Sequence, residues 1–394
     1  MIPVNEPLIA KNALRYVRDC LATGWISSAG AYIRRFEEEF ARYLGVEHAV
    51  TTTSGTTALH LALAAAGVGP GDEVIVPDLT MIAVPYAVLY TGARPVLIDV
   101  ERDTFNIDPE RVERFLKREC RYDGKKKALV NRKTGGRVRV LLPVHLYGHP
   151  CAMDELMRLA RDCGLLVVED AAEAHGALYR PGGEAKRAVR AGAIGDIGCF
   201  SFYGNKIVTT GEGGMVVTDD ARIAERARRL KDLAHDPKRR FLHTELAFNY
   251  RMTNVQAAIG LAQLEEIERF IAVKRKMAAA YGKGLGRVRG LTLPKEMPWA
   301  TSVYWMYSVL VEKEFGLSRD DLMAALKEMG VDTRSFFIPV HEQPVFAKDR
   351  SWAAADFPVS TGLSRQGLYL PSGLALTPAQ ISAVCRAVKA VRNI

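Results

Sequence analysis

The chain has 394 residues, 48% of them hydrophobic and 25% charged, proportions of a folded protein that exclude a disordered or collagen-like chain. Its 54 basic residues outnumber 45 acidic ones, formally +9, but the excess is scattered over Lys125–Lys127, Arg226–Lys231 and Lys238–Arg240. No zinc-finger spacing, heptad or aromatic RNA-binding strand accompanies those clusters, which argues against a nucleic-acid partner.

Helical spacing of Leu8, Leu14, Val17 and Leu21 predicts a first helix over Asn5–Leu21, and Phe36–Leu44 carries a second amphipathic set. A short strand, His48–Val50, leads into an apolar helix over Thr57–Ala66 that Gly67 closes. Apolar runs rich in Val and Ile follow at Glu73–Val76, Pro95–Val100, Val138–His145 and Leu165–Glu169. Helices fit between them at Thr80–Tyr90, Pro109–Arg118 and Met153–Cys163. Continuous apolar strands alternating with helices predict a mostly parallel sheet covered on both faces, an α/β fold. Residues 120–137 break this rhythm with a polar, turn-rich insertion that reads as a hairpin. A long helical pattern over about 254–283 ends a large domain, 1–283. A smaller α+β domain, 284–394, follows with a strand at Met306–Val311 and helices at Arg319–Met329 and Pro378–Val391. Runs such as Val138–Leu146 are far shorter than the ~20 residues that span a bilayer. The opening Met1-Ile2-Pro3-Val4 is not a signal peptide, and the six cysteines form no CxxC pair. These features lead to the expectation of a cytoplasmic protein with reduced thiols and no membrane partner.

Four segments carry chemistry. Thr53-Ser54-Gly55-Thr56-Thr57, between strand and helix, suits a phosphate held by the amides of a helix N-terminus, or is simply a hydroxyl helix cap. Asp170, in Val167-Val168-Glu169-Asp170-Ala171, leaves a buried strand where α/β folds bind ligands, although such an acid can also cap a helix. Lys206 ends Phe200-Ser201-Phe202-Tyr203-Gly204-Asn205-Lys206, where desolvation would free its amine for Schiff-base chemistry; the bland alternative is a snorkelling surface lysine. The glycines of Gly211-Glu212-Gly213-Gly214 permit close backbone approach to it. Among the histidines, His60 reads as packed on an apolar helix and His145 as a structural bonding partner.

Taken in order, Ser-Gly-Thr, strand-Glu-Asp-Ala-Ala and Phe-Ser-Phe-x-x-x-Lys with Gly-Glu-Gly-Gly resemble the DegT-type nucleotide-sugar aminotransferases, from Gly24-Trp25-Ile26-Ser27 through Asn249–Asn254 to Pro339-Val340-His341. The resemblance implies an aspartate-aminotransferase-like fold (pyridoxal-phosphate fold type I), pyridoxal 5'-phosphate as cofactor, with pyridoxamine phosphate formed in turnover, and a homodimer with shared active sites. By the same resemblance Lys206 holds the cofactor, Asp170 pairs with its ring nitrogen, and Gly55, Thr56 and Ser201 bind its phosphate. Glu173 lies over one ring face. Met81 stands over the other, where many relatives carry an aromatic; a thioether can also pack on a ring. Asn249 reaches the phosphate of the partner chain. Trp25, Ser27, Arg239, Arg240 and His341 fall at substrate positions, and Arg251 anchors the loop between subunits. Glu173–Gly176, Tyr203–Ile207 and Asp236–Arg240 most resemble members that aminate GDP-4-keto-6-deoxymannose with L-glutamate, releasing 2-oxoglutarate. A 4- or 3-aminotransferase acting on a UDP- or dTDP-keto-sugar is the alternative. Related dehydratases replace the lysine, so Lys206 argues against that activity, and a cofactor-binding regulatory protein would not need it.

Overall fold

Strands buried on both faces need no polar side, and every residue of β2 (Asp72–Pro77) and of the later strands Ile197–Ser201 and Gly214–Thr218 is buried. The structure is a computed structural model and describes residues 1–125, 127–183, 188–236, 238–239, 241–346 and 356–392. Along the chain, β1 (His48–Thr52) and β2 are followed by β3 (Arg94–Ile98), β4 (Cys120–Asp123), β5 (Ala128–Asn131), β6 (Arg137–Leu141) and β7 (Leu166–Asp170). A short pair, β8 (Leu178–Tyr179) and β9 (Val189–Arg190), precedes β10 (Ile197–Ser201) and β11 (Gly214–Thr218). The central sheet runs β1-β11-β10-β7-β6-β2-β3. Neighbours from β10 to β3 are parallel, β11 runs against both of its neighbours, and β5 joins the edge of β6 antiparallel. The carboxyl ends of β2, β6, β7 and β10 therefore share one edge, where ligands of such sheets bind.

The helices are α1 (Ala13–Thr23), α2 (Ala31–Leu44), α3 (Gly55–Ala65), α4 (Ala83–Tyr90), α5 (Pro109–Arg118), α6 (Met153–Cys163), α7 (Ala221–Lys231), α8 (Asn254–Leu264) and α9 (Ile267–Leu285), then α10 (Arg319–Glu328), α11 (Pro358–Gln366) and α12 (Pro378–Arg392). The polar stretch after α5 is a hairpin in which β4 and β5 pair from Cys120 opposite Asn131 to Asp123 opposite Ala128.

Two elements differ from the sequence reading. The first helix begins at Ala13 rather than Asn5, because residues 2–5 are bonded elsewhere: Ile2 bridges to Val331, the Val4 carbonyl accepts the Ser372 N–H, and Asn5 reaches Asn205. Pro3 and Pro7 also remove backbone donors from any helix there. The helix expected over 254–283 is two helices. Asn12 and Tyr16 of the α1 region both bond the Glu265 carboxylate (2.6 and 2.7 Å), and the Glu266 N–H turns to the Gln263 carbonyl, so the chain bends at these two residues.

The main apolar core lies between the central sheet and its helices, with Phe36, Phe40, Phe200 and Phe202 at its centre. A second core joins the lower half of α9 (Met277, Tyr281, Leu285) to α10, α12 and a sheet ordered β12 (Leu291–Thr292), β14 (Tyr307–Val311), β16 (Gly367–Leu370), β15 (Arg334–Ser335). The remaining strand, β13 (Ala300–Thr301), pairs with β8. Among the described residues no helix is long and apolar enough to cross a membrane.

Candidate active site

The pleat of β7 decides which of two adjacent acids can act. Successive side chains point to opposite faces. Glu169 turns away and is consumed by structure: it accepts His145 Nε2 at 2.8 Å and the amides of Gly192, Ile194 and Gly195. Burial opposes its charge, but His145 and those amides hold the carboxyl below its usual range. His145 is thus bonded structurally, and His60 is packed with its Nδ1 3.0 Å from the Tyr250 hydroxyl. Asp170 faces a cavity of about 410 Å³ that Gly55, Thr56, Met81, Glu173, Ser201 and Lys206 also line.

Lys206 enters this cavity from a turn after β10, its N–H donating to the Tyr203 carbonyl at 2.9 Å. Burial pulls its ammonium below the ordinary lysine value, against the charges of Glu173 and Asp170. Glu173 Oε1 stands 3.6 Å from Nζ, and the indole of Trp305 lies beneath Nζ at 3.9 Å from the ring centre. An amine so placed is largely desolvated, yet oriented by one carboxylate and one π face. Asp170 is raised by burial, and the Lys206 charge works against that rise. Its Oδ1 accepts the Ala172 N–H at 2.9 Å, while Oδ2 has no hydrogen-bond partner among the described residues.

Tyr147 links the two sides of the site. Its backbone is left-handed (φ 55°), a conformation that costs a non-glycine residue about 1–3 kcal/mol. In return its N–H donates to Glu173 Oε2 at 2.8 Å, and its carbonyl accepts the Trp305 N–H at 3.0 Å.

Opposite Asp170, α3 begins with a capping box in which Ser54 and Thr57 bond each other's backbone, worth about 1 kcal/mol. This leaves the amides of Gly55 and Thr56 at the positive end of the helix without intrahelical acceptors. A Cβ on Gly55 would come within 2.6 Å of Ser201 Cβ, so only glycine lets the helix start lie against the Ser201 hydroxyl. The arrangement fits pyridoxal phosphate: an anion cradle at α3, an acid with a free oxygen across the cavity, and a desolvated amine between them.

The other sequence-derived residues lie outside this cavity wall. Trp25 and Ser27 are held through their carbonyls by Asn254. Asn249 accepts Arg251 Nε at 3.0 Å, and Arg251 pairs with Asp232, so Arg251 anchors the loop within its own chain. Arg239 is exposed and its N–H bonds Asp236; Arg240 lies outside the described residues. His341 Nδ1 is 2.7 Å from Asp78 Oδ2. Burial acts to lower this imidazole, but the bond and charge of Asp78 overcome it and hold it above the usual histidine value. That contribution to stability is complete below the ordinary histidine pKa and is lost as pH rises through the raised one. The gap in thermal midpoint between the unmodified protein and His341→Gln should therefore narrow from about pH 6 to about pH 8. A constant gap would show that the pair's charge contributes nothing.

Sequence reasoning missed Trp305, Arg334 and Phe337, which complete the cavity wall from the second core's side of the chain. No local motif marks them.

Comparison with known proteins agrees with this geometry. Residues 7–389 match the model of the DegT/DnrJ/EryC1/StrS aminotransferase family. GDP-perosamine synthase of Caulobacter vibrioides is 42% identical over 99% of this chain and 98% of its own length. The enzyme of that name from Vibrio cholerae is 38% identical over 99% and 98%. Among solved structures, DesV of Streptomyces venezuelae in complex with a ketimine intermediate superposes with a TM-score of 0.85 at 36% identity, covering 97% of this chain and 94% of that one. The fold, the desolvated lysine and the full-length similarity place the chain in one family: it belongs to the DegT/DnrJ/EryC1/StrS aminotransferases.

Proposed function

We propose that this chain, a pyridoxal-phosphate-dependent sugar aminotransferase, moves the amino group of L-glutamate to the keto carbon of GDP-4-keto-6-deoxymannose, giving GDP-perosamine. The observation that carries the reading is its 42% identity, end to end, to a GDP-perosamine synthase, joined to a cavity that keeps the desolvated Lys206. Bound there, pyridoxal phosphate supplies an aldehyde to carry the nitrogen and a ring to spread the electron pair left when a proton departs. Lys206 would hold the cofactor, and its Nζ would then take the proton from the donor's α-carbon. In the second half of the cycle the same Nζ returns a proton at the sugar carbon that receives nitrogen. Asp170 would keep the ring nitrogen protonated, and Gly55, Thr56 and Ser201 would hold the phosphate. Glu173 and Met81 would lie against the two ring faces.

The working enzyme on this reading is a cytoplasmic homodimer serving polysaccharide synthesis, with a small domain from about residue 284. Asn249 of one chain would reach the phosphate site of the other, in keeping with its place outside its own chain's cavity wall. Trp25, Ser27, Arg239, Arg240 and His341 would border the nucleotide sugar. Assay of GDP-, UDP- and dTDP-linked 4-keto-6-deoxy sugars with L-glutamate tests the assignment, 2-oxoglutarate release being the readout. Turnover should favour the GDP sugar by at least about tenfold, a difference of about 1.4 kcal/mol in transition-state binding. Preference for a UDP or dTDP sugar would replace the GDP assignment with the alternative.

A further inference from the structure

Asn205 precedes Lys206, and its carbonyl accepts two donors from remote parts of the chain: Asn5 Nδ2 at 3.0 Å and Trp305 Nε1 at 2.8 Å. Asn5 belongs to an N-terminal strap laid directly on backbone. The Ser372 N–H donates to the Val4 carbonyl at 2.7 Å, and a Cβ on Gly373 would come within 2.6 Å of the Glu6 nitrogen. The strap also walls a 660 Å³ cavity that shares Tyr203, Asn205, Trp305, Arg334 and Phe337 with the active site.

Lys274 of α9, only 1% exposed, closes the circuit. Its ammonium donates to the Trp305 carbonyl at 2.7 Å and to the Ser372 carbonyl. Burial pushes this lysine down to about 7, and no carboxylate pairs with it among the described residues. An apolar residue would fill the space as well, so a lysine here is explained by the two carbonyls it ties together.

We propose that the strap and α9 form a clamp on the reacting amine: Asn5 and Lys274 are positioning residues that fix the Asn205 carbonyl and the Trp305 ring, and through them hold Lys206 Nζ over the indole. The proposal rests on Lys206 being the amine that takes the cofactor. A planar peptide whose oxygen is held by two donors cannot swing, so the start of the Lys206 residue is fixed with it. The π face under Nζ favours the ammonium and opposes the effect of burial. Other groups around Nζ are Glu173 at 3.6 Å and Asp170, which also favour the charge. His175, pushed to about 3 by burial and by the Lys206 charge, stays neutral, and Glu212 and Arg334 line the outer wall. Removing one donor to the Asn205 carbonyl loosens carbonyl and indole together, and the ammonium loses part of its support. The amine is then released at lower pH.

The test uses cofactor-free, full-length protein. Capture of pyridoxal phosphate at Lys206 is trapped by borohydride and read by peptide mass across the pH range. The midpoint should fall by roughly half a unit in Asn5→Ala, the shift expected from weakening one cation–π contact. Trp305→Phe, which keeps a π face but loses the indole N–H, should move it the same way. Lys274→Met should do so too; if that variant does not fold, the other two decide. The thermal midpoint of Asn5→Ala should stay near that of the unmodified protein, since no core packing is removed. An unchanged capture midpoint in Asn5→Ala with Lys206 still trapped would overturn the clamp. Failure to trap Lys206 in the unmodified protein would instead overturn the assignment of Lys206 itself.

Discussion

Lys206→Ala should reduce transamination by roughly 10⁴-fold or more, because in the proposed mechanism one amine both holds the cofactor and moves the proton in each half-reaction. The cradle at Gly55, Thr56 and Ser201 does not depend on that amine, so the variant should still bind pyridoxal phosphate, more weakly. Borohydride reduction of the unmodified enzyme should place the pyridoxyl group on the peptide containing Lys206, and labelling at any other lysine would falsify the assignment. The same variant tests the shared site. If Asn249 acts across a dimer, mixing Lys206→Ala with Asn249→Ala chains creates one site with both defects and one with neither. Activity should return in the mixed dimer, provided each variant alone is nearly inactive. Without exchange across the interface, every site keeps one defect, and a verified mixed dimer that stays inactive rules the shared site out.

Asp170→Asn should leave the cofactor bound and cut both half-reactions by ~10²–10⁴, or about 3–5 kcal/mol of barrier at 1.36 kcal/mol per decade. The physical reason is the low polarity of the site. Burial alone makes a carboxylate costly at Asp170, and the charge on Lys206 offsets only part of that. A protonated ring nitrogen beside Asp170 would supply the missing counter-charge and would keep the ring able to accept electrons. An amide in place of the carboxylate preserves shape but cannot stabilise that proton. Single-turnover rates with glutamate, followed by the absorbance of the bound cofactor, measure this directly. A rate within threefold of the unmodified enzyme would remove Asp170 from the chemistry.

Much of the fold was legible in the residues themselves. Strands buried in a parallel sheet are rich in apolar residues, so β2, β3 and β7 stand out as short runs of Val, Ile and Leu, and α5 and α6 were found to the residue at both ends. The centre of the site was legible for a related reason. Phosphate cradles, strand-end acids and lysine turns are local structures, and each leaves its residue types close together in sequence. What only the tertiary structure decided are contacts between distant segments. Glu169 and Asp170 are adjacent acids, and it is the pleat of β7, with His145 and three amides waiting on one face, that assigns one to structure and the other to the cavity. The α8–α9 bend depends on Asn12 and Tyr16 reaching Glu265, which no helical periodicity can report. Trp305 and Asn5 reach the Asn205 carbonyl across 100 and 200 positions of the chain, and Lys274 reaches the Trp305 carbonyl across 31, so the forces around Lys206 become visible only when the chain is folded.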